Sequence, residues 1–220
     1  MHRLQQHILQ RLILNPEQRY ADLKPVEVEG NLFMYHLRCL MKDGYVEKRA
    51  NGRYSLSAAG KLYVDRLSLK SLTPRIQPRI VTLMAVEQGG KWLVYLRKRQ
   101  PLINLIGFPY GKIHLGESIK AAAERELKEK TGLIADLTHV GDGYATTSEA
   151  GEPVSQIMFH MFYGKDPKGE ILEHSDIGEP MWVDELAIGG QGFMPNVADL
   201  LALVKNRSAE RFFAQLEHRI

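Results

Sequence analysis

One stretch of 23 residues, Gly111 to Leu133 (GKIHLGESIKAAAERELKEKTGL), constrains this chain more than any other. Ser118 stands where a helix N-cap belongs, and Gly132 where a glycine stops a helix. Between them Ile119, Ala123 and Leu127 recur every four residues and give the helix an apolar stripe. Glu126 and Glu129 lie three apart, so both carboxylates project from one face, and Arg125 can hold Glu129 four residues on. Two close carboxylates repel unless a cation separates them, and hard oxygen ligands suit Mg²⁺ or Mn²⁺. A plainer account is a solvated helix, since Glu124 with Lys128 and Arg125 with Glu129 are ordinary i,i+4 pairs. The Gly111 loop, and Gly107-Phe108-Pro109 before it, weigh against that account.

The spacing resembles the box of the Nudix family. Gly111, five residues, Glu117, seven residues, and then Arg125-Glu126-Leu127-x-Glu129-Lys130-x-Gly132-Leu133 follow its pattern. The chain departs at Lys130, where the family usually has a second adjacent glutamate. The resemblance implies an α/β fold, a Nudix α/β/α sandwich with a mixed sheet, over residues 79–220. It also implies that the Gly111 carbonyl, Glu117, Glu126 and Glu129 hold Mg²⁺ or Mn²⁺, with Arg125, Glu126 and Glu129 as the catalytic set. Lys130, four after Glu126, is expected to point toward the site. There it weakens a second metal, and it either acts as a fixed cation against phosphate or turns outward on its long stem.

Charge divides the chain. Residues 1–70 hold 12 Lys and Arg against 7 Asp and Glu, whereas the remainder holds 17 against 19, so the positive surplus belongs to the N-terminal third. A basic segment of this kind favours a polyanionic partner. Leu4, Ile8, Leu9, Leu12 and Ile13 share a helical face that ends at Asn15-Pro16. A short helix is expected over 20–24, and a third from an Asn31 cap to Lys42, with Phe33, Leu37, Leu40 and Met41 inward. Tyr45–Arg49 and Arg53–Ser57 alternate around Ala50-Asn51-Gly52, a hairpin signal, and a fourth helix follows over 58–69.

This order resembles a winged helix-turn-helix domain, carried by Phe33 to Lys48, over residues 1–70, with 71–78 as a linker holding Pro74 and Pro78. The resemblance implies that the third helix offers Asn31, Tyr35, His36, Arg38 and Lys42 to a major groove, while Lys48, Arg49 and Arg53 meet phosphates. A dimerisation or protein-contact role for the same fold remains open, so duplex DNA and a homodimer are both expected partners. His2, His7 and His36 lack metal spacing and read as surface or groove residues.

Beyond the linker, Arg79–Val86 and Trp92–Arg97 read as a hairpin. Arg97 and Arg99 at its end, with Lys112, are candidate substrate contacts, or else solvated rim charges. Ile106 to Ile113 looks like the Nudix enzymes that act on dinucleoside polyphosphates or RNA caps, although those usually have tryptophan at the place of Ile106. Leu133–Tyr144 and Val154–Tyr163 read as strands around a polar loop, Ala145–Pro153. A further carboxylate is expected from Glu149, Glu152, Glu173, Asp176 or Glu179, and His174 reads as a loop residue. Two helices are expected at the C-terminus, near 195–205 and 208–218.

The single cysteine, Cys39, excludes an internal disulfide and a cysteine-based metal site, and it reads as a buried thiol. No run approaches the roughly 18 apolar residues of a membrane span, and the first residues lack a signal-peptide core. The expected location is the cytoplasm, with no membrane partner. Together these readings describe a metal-dependent hydrolase of a nucleoside diphosphate linked to another moiety, with an N-terminal domain able to bind DNA. The rival is a transcription regulator whose Nudix domain senses a nucleotide-like metabolite without cleaving it.

Overall fold

The computed structural model describes residues 1–173, 177–208 and 210–220. His174 and Asp176, both singled out above, lie outside the described residues. The chain divides into two compact units, Met1–Ile76 and Gln77–Ile220. Among the described residues, no helix is long and apolar enough to cross a membrane.

The N-terminal unit contains α1 (Arg3–Leu14), α2 (Tyr20–Leu23), α3 (Gly30–Lys42), β1 (Val46–Lys48), β2 (Tyr54–Leu56) and α4 (Ala58–Asp65). His2 caps α1, its ring accepting from the Leu4 N–H at 3.2 Å while Gln5 accepts from the His2 N–H at 3.0 Å. The helices bury Ile8, Leu9, Leu12, Leu23, Phe33, Leu37 and Leu40 against Val46, Tyr54 and Leu56 of the antiparallel β1–β2 hairpin.

Four expectations change here. α3 begins one residue before Asn31, behind Glu29, so Asn31 is not its cap. Met41 is exposed, and Cys39 is only half-buried. His36 is not a groove residue, because it falls on the core stripe of Phe33, Leu37 and Leu40 and is only 8% exposed. Its ring stacks on His2 with centroids 3.9 Å apart.

The second unit is built on a mixed sheet of β3 (Arg79–Gln88), β4 (Lys91–Arg97), β5 (Ile106–Gly107), β6 (Tyr110–Lys112), β7 (Thr138–Glu149), β8 (Glu152–Lys165), β9 (Gly178–Asp184) and β10 (Phe212–Arg219). The main path is β10-β7-β8-β3-β4-β5, with β6 on β3 and β9 on β4. β3 runs parallel to β8, and β10 parallel to β7, while the other pairings are antiparallel.

Side chains alternate across this sheet. One face carries Met84, Val86, Leu93 and Phe162, which pack on Ala123 and Leu127 of α5 (Ile119–Thr131). The opposite face carries Val81, Leu83, Phe159 and Met161, which pack with Val197, Leu200, Leu201 and Val204 of α6 (Val197–Lys205). The sheet therefore lies between two helices. Burying Leu127 alone contributes about 2 kcal/mol.

Two readings of this unit are corrected. Residues 212–219 form β10, not a helix: Phe212, Ala214, Leu216 and His218 alternate with exposed residues, and β7 supplies a parallel partner. Phe212 and Leu216 also have i,i+4 spacing, so the free sheet edge decided between the two periods. Likewise Ala145–Pro153 is not a loop. β7 and β8 stay paired out to Glu149 and Glu152, and the turn needs only Ala150 and Gly151.

Candidate active site

Ser118 Oγ accepts from the Ala121 N–H at 3.2 Å and starts α5, and Gly132 ends it in the left-handed region at φ 77°. The stripe behind it is deepest at Ala123 and Leu127, while Ile119 remains 38% exposed. This seating fixes which way the charged face looks. The helix rests against β6, and Gly111 makes that approach possible: a Cβ at Gly111 would lie 1.9 Å from Glu126 Cγ. Glycine is required there for room.

Arg125 gathers the acids. Its Nη2 donates to Glu117 Oε1 at 2.7 Å and its Nε to Glu117 Oε2 at 3.1 Å. Its Nη1 reaches Glu126 Oε1 at 3.1 Å and Glu129 Oε2 at 3.2 Å, and Nη2 also donates to the Lys112 carbonyl at 3.0 Å. Glu117 further accepts from the His114 N–H. The Arg125 hydrogen bonds, helped by that backbone contact, hold the Glu117 carboxyl at about 2, well below the carboxylate range. Bound by these carboxylates, Arg125 is raised above the usual arginine value.

Glu126 is buried, and its Oε1 also accepts from the Lys112 N–H at 3.1 Å. The Glu129 side chain, 59% exposed, faces water. Gly111, Glu117, Arg125, Glu126 and Glu129 are thus brought together as the sequence predicts. Carboxylate and carbonyl oxygens in this arrangement can hold a hard divalent ion, or orient a phosphoryl group through Arg125.

The NUDIX domain profile matches residues 76–199, more than half of the chain. The chain belongs to the Nudix family. An ADP-ribose pyrophosphatase of Methanocaldococcus jannaschii is 25% identical over 60% of this Nudix chain and 79% of its own length. The oxidized purine nucleoside triphosphate hydrolase of Danio rerio is 35% identical over 48% of this chain and 66% of its own. Among solved structures, the mutator MutT protein from Bacillus halodurans superposes with a TM-score of 0.54 at 22% identity, over 64% of this chain and 90% of that one. The Nudix domain of Shewanella oneidensis NrtR, cocrystallised with ADP ribose, gives 0.52 at 13%, over 68% and 97%. Nudix hydrolases depend on divalent metals and act on nucleoside diphosphate derivatives.

Lys130 belongs to the same corner. It turns inward, its side chain only 11% exposed, with Nζ 3.3 Å from Glu126 Oε2. The ammonium also donates to the Tyr110 carbonyl and lies 4.0 Å from the centre of the Tyr110 ring. Burial pushes this amine below the usual lysine range, and Glu126 works against the shift. A protein cation thus occupies a corner lined by a carboxylate oxygen and a backbone carbonyl.

The predicted substrate contacts separate. Arg97 is 5% exposed, donates to the Pro101 carbonyl at 3.0 Å and lies 4.8 Å from the Tyr110 ring. Desolvation lowers its pKa. Arg99 is exposed and donates to the Tyr110 hydroxyl at 3.4 Å, while Lys112 is exposed beside Glu126. Tyr110 is the hub of this group. Burial acts to raise its phenol, but Arg97, Arg99 and Lys130 outweigh it and leave the pKa below the usual value. A cleft beyond it is lined by Arg79, Phe108, Thr147, Ser155 and Asn196, and Arg79 donates to Ser155 at 3.0 Å. These residues come from separate strands and loops, and no local motif links them.

Of the late carboxylates, Asp176 lies outside the described residues. Glu179 is paired with Lys98, and Glu149 and Glu152 face each other at the tip of the β7–β8 hairpin. Glu173 is exposed. In the N-terminal unit Tyr35, Arg38, Lys42, Lys48 and Arg49 are exposed and Arg53 half-buried, with Arg49 held by Glu47 at 3.0 Å and by Ser55 at 2.9 Å.

Proposed function

We propose that this Nudix chain is a metal-dependent hydrolase of a nucleoside diphosphate linked to another moiety. One observation carries the reading: Arg125 draws Glu117, Glu126 and Glu129 into one cluster beside Gly111, a glycine that Glu126 needs for space. Glu126, Glu129 and the Gly111 carbonyl would hold Mg²⁺ or Mn²⁺, and the donor set, all oxygen, fits such an ion. When bound, the ion lowers the pKa of its water and screens the phosphoryl oxygens. Arg125 keeps the carboxylates oriented, and the exposed Glu129 is placed to accept a proton from attacking water. Arg97, Arg99 and Lys112 supply positive charge toward the diphosphate, and the cleft at Phe108 and Tyr110 receives the rest of the ligand.

The test is nucleotide release from ADP-ribose, NAD-like dinucleotides, diadenosine polyphosphates and nucleoside triphosphates, each with Mg²⁺ and Mn²⁺. Turnover on one class is expected, with loss of about 10³-fold or more in a folded Glu129→Gln variant. Full activity in that variant would sink the assigned site.

Lys130 supports a second reading. Its ammonium satisfies Glu126 with a built-in cation, which favours a domain that binds a nucleotide-like metabolite without cleaving it. Ligand-induced thermal stabilisation without turnover would decide for this reading. In either case residues 1–70 form a winged helix-turn-helix domain, joined through 71–78 to the domain at 79–220. Tyr35, Arg38, Lys42, Lys48, Arg49 and Arg53 meet duplex DNA in this proposal. Binding should weaken steeply with salt, and a salt-independent homodimer with no DNA binding would replace it by a dimerisation role.

A further inference from the structure

A second constellation lies on the α5 face of the sheet, outside the carboxylate cluster. His139 and Asp142 stand three apart on β7, and a regular strand would send them to opposite faces. β7 is not regular there. His139 pairs with Phe162 and Gly141 with Met161, so Val140 is an extra residue opposite a single step of β8. This bulge turns His139 and Asp142 to the same face, where Asp142 pairs across to His160.

The three side chains converge. Asp142 Oδ1 lies 2.9 Å from His139 Nε2 and 2.5 Å from His160 Nδ1. One potential ligand atom from each residue falls within 4.8 Å of the others. Their side chains are 21%, 29% and 15% exposed, sheltered yet open to solvent. Phe162 supports the His139 ring, with centroids 5.1 Å apart. On the adjacent strand Thr82 pairs in register with His160, and its hydroxyl is fully buried without a hydrogen-bond partner among the described residues. Thr82 in turn pairs with Gly111, so His160 stands two strands, about 10 Å, from the glycine of the acidic cluster.

We infer that His139, Asp142 and His160 form a binding site for a first-row divalent transition metal, Zn²⁺ foremost, separate from the oxygen-only site on α5. Two imidazoles and a carboxylate favour Zn²⁺ over Mg²⁺, because imidazole is a poor ligand for the harder ion. Three protein ligands leave a fourth position for water, and Thr82, in register beside His160, has a buried hydroxyl with no partner among the described residues. All three ligands sit on paired strands, so the backbone is set in advance, and the ion replaces the hydrogen bonds that Asp142 now makes to the two rings.

The experiment is calorimetric titration of Zn²⁺ into the untagged, chelator-stripped full chain, in excess Mg²⁺ to saturate the carboxylate site. One equivalent should bind. Its affinity should fall at least about tenfold in His160→Gln and in Asp142→Asn, and stay unchanged in Glu129→Gln. Circular dichroism checks each fold, and if His160→Gln does not fold, Asp142→Asn gives the same readout. Absence of saturable binding, or equal affinity in the ligand variants, would overturn the site and leave the three residues as a hydrogen-bonded network. Loss of binding in Glu129→Gln alone would overturn it too, by assigning the ion to α5.

Discussion

Two glutamate–cation pairs flank the charged face of α5 and obey different physics. At the entry, Glu117 meets Arg125 close to solvent. Further along, Glu126 and Lys130 meet with side chains only 10% and 11% exposed. Water screens the first pair, so its energy is modest however good its geometry. The second pair has been taken from water, so each charge depends on the other and removal of one leaves a cost. Within this helix, depth decides what a charge is worth more than the number of contacts it makes.

The sharpest way to break that contrast is at the glycine beneath the buried pair. Gly111→Ala places a methyl into the Glu126 stem, and the expected loss is about 3 kcal/mol or more, read by chemical denaturation. A variant as stable as the parent would mean that α5 can lift off β6 freely. Next is Lys130→Met, which keeps the length and removes the cation. Glu126 retains Arg125 and the Lys112 N–H, so a loss of about 2–3 kcal/mol is expected, below the full cost of an orphaned buried charge. Its pH dependence also differs. Since the folded state depresses the Lys130 pKa below 10.5, the parent gains stability as pH rises from the folded value toward 10.5. Lys130→Met should abolish that alkaline gain, and a gain that persists would point to another group.

The smallest effect belongs to the pair nearer solvent. Glu117 has a folded pKa of about 2 against 4.5, so what it contributes is complete above pH 4.5 and disappears as pH falls toward 2. Glu117→Gln should melt like the parent in strong acid and differ from it only slightly at neutral pH. A large neutral-pH deficit would refute the claim that solvent screens this pair.

These contrasts also explain what could be read in advance. The α5 cluster was legible because its signals are local: a serine cap, a closing glycine, and acids at helical intervals. The inward turn of Lys130 was one of two readings until β6 supplied the Tyr110 carbonyl. His36 looked exposed because histidine is polar, although it falls on the core stripe of α3 and stacks on His2. β10 looked helical because an i,i+4 pair of apolar residues says nothing of a waiting sheet edge. The grouping of His139 with Asp142 was hidden most completely, since a spacing of three separates faces in a strand and only the bulge at Val140 reverses this.

Lys130 also has a genetic consequence. Lysine and glutamate codons differ at their first base, so the chain stands a single point mutation from an acid at this position. Lys130→Glu would set two carboxylates four residues apart in the same sheltered corner, where an added cation or a retained proton would have to reconcile them. A library of point mutants screened for diphosphate cleavage in Mg²⁺ would sample that change at once, and would show whether the present lysine restrains an enzyme or defines a receptor.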